Sequence, residues 1–193
     1  VINDKELNAF ATGKDPENAS IVDTTGLLKK MNRQELEGVI AHEMSHVKNY
    51  DIRFMMLTAV LVGVVTLISH FILRSFLFGG GRKKNSNGAI FIVLLGLVLA
   101  ILTPLIGQMI RFAISRKREY MADANAAILT RYPAGLANAL KKIQKDANPK
   151  MKKANKAMAH LYISSPFRKK KLTSKLFSTH PPIEERIKRL QEM

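Results

Sequence analysis

Three kinds of hydrophobic pattern follow one another along the chain. Up to residue 28 the apolar positions come in short pieces. Ala9-Phe10-Ala11-Thr12 and Ala19-Ser20-Ile21-Val22-Asp23 read as strands, separated by the turn-forming run Gly13-Lys14-Asp15-Pro16-Glu17-Asn18. Next, Leu36, Val39, Ile40 and Val47 recur at helical spacing. Asn32 marks the start of that helix, with Glu35 three residues on as in a capping box. Then the polar positions disappear. Residues 54–73 read FMMLTAVLVGVVTLISHFIL and 89–110 read AIFIVLLGLVLAILTPLIGQMI, neither with a Lys, Arg, Asp or Glu.

An uncharged helix of about 20 residues spans a hydrocarbon core. The pattern therefore predicts a two-helix transmembrane hairpin: a span over 54–78, a polar loop over 79–88 and a second span over 89–114. Pro104 and Gly107 predict a kink in the second span. Two helices buried in a soluble protein are the alternative, but a chain this small has little polar material to wrap helices apolar on every face. A re-entrant hairpin is a third arrangement. Past residue 115 the Ala-rich composition predicts that the second helix continues into solvent. Further helices are expected from Tyr132 to about Lys145 and over Ile183 to Gln191, the latter opened by proline. His70, inside a span, and His160, in an apolar stretch, read as packing residues. Residues 148–156 and Arg168-Lys169-Lys170-Lys171 read as solvated basic segments.

Charge gives the hairpin a direction. Lys and Arg number 31 against 15 acids, a net charge of +16 over 193 residues. Lys48, Arg53, Arg111, Arg116, Lys117 and Arg118 flank the open end, against Arg82, Lys83 and Lys84 in the loop. The positive-inside rule then points the open end to the cytoplasm, and the basic flanks to an anionic lipid surface rather than to nucleic acid. There is no cysteine, so disulfides and thiolate metal sites are excluded.

The chemistry sits on the predicted amphipathic helix, in His42-Glu43-Met44-Ser45-His46. His42 and His46 are one turn apart on one face, the spacing at which two imidazoles share a zinc ion, and Glu43 lies beside them as a base for a water. Gly38, one turn earlier, leaves room for another backbone to approach. Zinc held by two histidines needs a further ligand. Glu119 and Asp123 are i and i+4 on the continuing helix, so Glu119 could supply it while Asp123 accepts the outer N–H of a ligating histidine. A solvated face paired with Lys or Arg is the alternative, against which Ala122, Ala126 and Ala127 argue for a close-packed helix. In zinc peptidases a strand beside the zinc helix often takes substrate by strand addition, and residues 19–22 are a candidate, as against an ordinary structural strand.

These segments together resemble the HtpX family of membrane-bound zinc metalloproteases, in the same superfamily as the CAAX prenyl proteases. The resemblance rests on H-E-M-S-H, two spans, S-R-K-R-E-Y-M-A-D, and S-T-H-P-P-I-E-E-R-I, with N-A-F-A-T-G near the start and H-L-Y-I-S-S-P-F at His160 to Phe167. It implies an α+β zincin-like fold, mainly helical, whose peptidase domain is divided into 1–53 and 115–193 by the hairpin. It implies His42, His46 and Glu119 as ligands of one Zn2+ and Glu43 as catalytic base. It also implies a four-span protein of which two earlier spans are absent, lodged in the cell membrane and acting on misfolded membrane proteins. His180 would stand near the catalytic centre and donate to the oxyanion, although a structural turn histidine fits the sequence as well. Arg186 would pair with an acid such as Asp123. Two rivals stay open: a CAAX-type prenyl-protein protease, and a non-catalytic membrane-anchored binding module.

Overall fold

The computed structural model describes residues 1–78, 87–146 and 180–193. The loop tip and the two basic segments between 147 and 179, with His160 and Phe167, lie outside the described residues. The chain divides into two compact units, residues 1–54 with 112–193, and residues 55–111.

In the first unit, β1 (Ala9–Gly13) and β2 (Ala19–Asp23) form an antiparallel pair, Ala11 opposite Ile21. The connection is the turn expected, with Pro16 opening a 3-10 turn and Asp15 accepting the Asn18 N–H. Ile2 donates to the Asp23 carbonyl and occupies part of the outer edge of β2. A short helix follows that the sequence reading treats as extended chain, α1 (Thr25–Lys30), its first turn capped by Thr24. It fits because residue 26 is glycine: a Cβ there would lie 2.1 Å from the Lys5 carbonyl oxygen.

Helix α2 (Arg33–Lys48) carries the histidine pair and has the predicted capping box, Asn32 Oδ1 accepting from the Glu35 N–H and Glu35 accepting from the Asn32 N–H. It packs against α5 (Pro133–Lys145) at backbone distance. A Cβ on Gly38 would come within 2.7 Å of Leu136 N, and one on Gly135 within 2.6 Å of the Gln34 carbonyl. Two glycines thus allow one helix to lie in the other, the close approach expected at Gly38. Leu27, Val39, Ala126, Leu136, Leu140 and Leu190 are core residues there, and α6 (Ile183–Gln191) closes over it through Ile187 and Leu190.

Two long helices connect the units: α3 (Asp51–Phe78) and α4 (Asn87–Thr130), which contains Pro104. Their stretches in the second unit reverse the rule of the first. Leu57, Leu61, Leu67 and Phe71 on α3, and Leu94, Ile101 and Ile106 on α4, are exposed. His70 is exposed too, not packed. A Cβ on Gly107 would meet Val62 at 3.1 Å, so the two helices touch where one lacks a side chain. Among the described residues one helix, over Asp51–Ser75, is long and apolar enough to cross a membrane.

Candidate metal centre

Glu37 to His46 lies within one regular helix, so the i, i+4 spacing places His42 and His46 side by side, their Nε2 atoms 3.2 Å apart. The continuation of α4 brings in Glu119. Its Oε1 lies 3.6 Å from His46 Nε2 and its Oε2 3.8 Å from His42 Nε2. One ligand atom from each of the three residues falls within 4.8 Å of the others, which makes them a cluster able to hold a metal ion.

The chemistry of this cluster fits a zinc ion. Burial keeps the His42 ring below its ordinary pKa and hence neutral, the state that can donate a lone pair. Its outer Nδ1 lies 3.0 Å from Asp123 Oδ1, so the proton sits there and Nε2 points its lone pair inward. Burial pushes the Glu119 carboxyl upward, but His180 and Arg186 outweigh it and hold the group well below the carboxylate range, ionised. Among the described residues nothing donates a hydrogen bond to the buried Glu119 Oε2, although Arg186 Nη1 stands 3.1 Å away as a counter-charge. Two imidazoles and one carboxylate leave a fourth position open, as in catalytic zinc sites.

Glu43 is fully buried next to this cluster, and desolvation raises its pKa from 4.5 to about 7. It is tied to the sheet, because the Ala11 backbone N–H hydrogen-bonds to its carboxylate. The register explains why β1 can reach it. Thr24 N–H donates to the Asn8 carbonyl and Ile2 N–H to the Asp23 carbonyl, so the odd-numbered residues of β1 turn their backbone groups away from β2. The contact with Glu43 thus comes from β1, while residues 19–22, the candidate for taking substrate by strand addition, form β2.

The remaining expected residues converge as well. Arg186, 1% exposed, clasps Asp123 as a two-pronged fork, Nε to Oδ2 at 2.8 Å and Nη2 to Oδ1 at 2.7 Å. It is the pair expected from sequence. The same Nη2 lies 3.4 Å from His42 Nε2. His180 comes in from the turn before α6, its Nδ1 3.2 Å from Glu119 Oε1. One residue at the centre was missed. Asp51 Oδ2 lies 2.8 Å from His46 Nδ1, and its other oxygen is ion-paired to Arg118. Read along the chain, Asp51 marked only the end of a polar segment, because a residue five positions after His46 is not on the same helix face.

The chain matches Peptidase family M48 over residues 1–193. It is 53% identical over 193 residues to a Protease HtpX homolog of Dictyoglomus turgidum, covering all of this chain and 62% of that protein. A Protease HtpX homolog of Tropheryma whipplei is 47% identical over 193 residues, again covering all of this chain and 65% of the relative. The chain therefore spans just under two thirds of the length of these relatives. The crystal structure of S. mikatae Ste24p superposes with a TM-score of 0.58 and 25% identity, over 96% of this chain and 43% of that one. A match from the first residue to the last, with the histidine pair and the distant glutamate brought together in space, has one reading: the chain belongs to Peptidase family M48.

Proposed function

We propose that the protein is a membrane-embedded, zinc-dependent endopeptidase that hydrolyses peptide bonds. His42, His46 and Glu119 hold the zinc, which when bound acidifies a water molecule and polarises the scissile carbonyl. Glu43 accepts a proton from the attacking water and passes it to the departing amine nitrogen. A carboxylate held beside the attacking water can take its proton and return it to the leaving group. His180 faces the same centre and donates to the oxyanion. Arg186 and Asp123 hold His42 in place. A substrate backbone adds to the β1–β2 pair as a further strand, with residues 19–22 the candidate edge.

The observation that carries this reading is the convergence of His42, His46 and Glu119 beside a buried Glu43. A binding module needs no such arrangement. The first of the two apolar segments spans the bilayer in α3 and the second in the early part of α4. The basic residues at the open end lie against anionic lipid, with the centre on the cytoplasmic side. Misfolded membrane proteins are the substrates, as expected of a protease serving membrane quality control.

The test is Glu43→Gln in the zinc-loaded protein. Peptide hydrolysis falls by about 10²–10⁴-fold while zinc content is unchanged. Wild-type turnover in that variant would remove Glu43 from the chemistry.

A further inference from the structure

The metal-centre reading is the footing for this step, which concerns the histidine that the sequence left without a partner. His46 presents Nε2 to the cluster and Nδ1 to Asp51 Oδ2, 2.8 Å away. Asp51 does not belong to the same helix. It is the first residue of α3, reached from α2 through Asn49, the C-cap, and through Tyr50. Tyr50 has φ 55, the left-handed conformation that residues with a Cβ rarely adopt. That reversal folds the start of the apolar helix back beside His46.

Both oxygens of Asp51 are then engaged, one by the imidazole and the other by the Arg118 guanidinium. Arg118 is fixed in turn. Its Nη1 reaches the Asn49 carbonyl at 3.4 Å, and the guanidinium carbon lies 4.0 Å above the Phe54 ring. Its neighbour in sequence is Glu119. A carboxylate whose only task was to start α3 would need the helix end and a counter-charge; it would not need its free oxygen on a ring nitrogen in a buried cluster. An acceptor at Nδ1 fixes the tautomer of a ligating histidine and makes the opposite nitrogen a better donor.

We propose that Asp51 is the positioning residue for His46, held in place by Arg118, so that metal affinity depends on a carboxylate supplied by the first turn of α3. Arg118 acts only through Asp51.

The experiment is zinc affinity by chelator competition, with the visible absorption of the cobalt-substituted protein, on the protein in detergent micelles. Asp51→Ala weakens zinc binding by about 10–100-fold and shifts the cobalt bands. Asp51→Asn, which keeps the shape and an acceptor oxygen, weakens it less and decides the matter should the alanine variant fail to fold. Arg118→Gln weakens binding severalfold in the wild-type background and not at all beside Asp51→Ala. Unchanged affinity and cobalt bands in both Asp51 variants would overturn the proposal. So would a further loss from Arg118→Gln beside Asp51→Ala. Absence of zinc binding in the unaltered protein would instead strike down the metal-centre reading, and this proposal with it.

Discussion

The two histidines are held by the same device built twice at different depths. On the inner arm, His42 leans on Asp123 and Asp123 on Arg186, with side chains 1%, 3% and 1% exposed. On the outer arm, His46 leans on Asp51 and Asp51 on Arg118, with side chains 16%, 7% and 22% exposed. Each arm runs imidazole, carboxylate, guanidinium. The difference is solvent. A buried charge that loses its partner cannot be rescued by water, whereas a partly exposed one can, so the inner arm is the brittle one. The inner arm is also braced by α6, and the outer one by the turn into α3.

The sharpest way to break the comparison is to remove the two arginines in turn. Arg186→Ala leaves Asp123 and Glu119 buried beside one another without their counter-charge and lowers stability by about 3–5 kcal/mol. Arg118→Ala costs about 1 kcal/mol or less, since its ion pair is partly wet. Thermal unfolding of both variants in chelator checks the ranking. Equal losses would mean that depth is not what separates the arms.

The next effect is a pH dependence of the metal-free protein. Glu43 has its folded pKa raised from 4.5 to about 7 by burial, so its protonated form favours the native state. That stability is complete below pH 4.5 and is lost as pH rises through 7, an effect on the order of 3 kcal/mol. Asp123 and Glu119, both held low, act in the opposite sense: their stabilisation is present above the ordinary carboxylate range and fades as acid protonates them. His42, held below its ordinary pKa, likewise gains stability as pH rises, so the Glu43 contribution is read as a difference. From pH 4 to 8 in chelator the wild-type denaturation midpoint should lose ground relative to Glu43→Gln. Parallel curves would place Glu43 in a wetter setting than the structure gives it.

The smallest effect sharpens the outer arm. Tyr50 is held at φ 55, and glycine relaxes such a residue by about 1 kcal/mol. Tyr50→Gly should leave thermal stability equal or slightly raised and, if the left-handed turn is what delivers Asp51, leave zinc affinity intact. Tyr50→Val, β-branched and ill suited to that conformation, should lower both.

What the sequence made legible follows the range of each signal. The histidine helix was readable because its cap, its apolar stripe and its ligand spacing all lie within one stretch of sixteen residues. The strand pair was readable from the turn between its members, and α6 from the prolines before it. Glu119 and Asp123 were visible as a pair only because one regular helix carries them. Asp51 was hidden because its approach to His46 depends on a left-handed tyrosine, which no periodicity announces. Helix α1 was hidden because Gly26, a helix breaker in sequence terms, is there to admit the Lys5 backbone. Which strand faces Glu43 could not be read either, since that depends on the register of the pair, which turns the Ala11 N–H away from β2. The exposed leucines and isoleucines of α3 and α4 are the converse case. Composition alone marked them, and the structure leaves them exposed.

The central claim is that His42, His46 and Glu119 share one metal ion. Metal content per chain after zinc loading and desalting, measured on the wild type, His46→Ala and Glu119→Ala, tests it most directly. The expected result is about one zinc per chain in the wild type and essentially none in either variant. A wild type that retains no zinc, or a Glu119→Ala variant that retains a full equivalent, would contradict it.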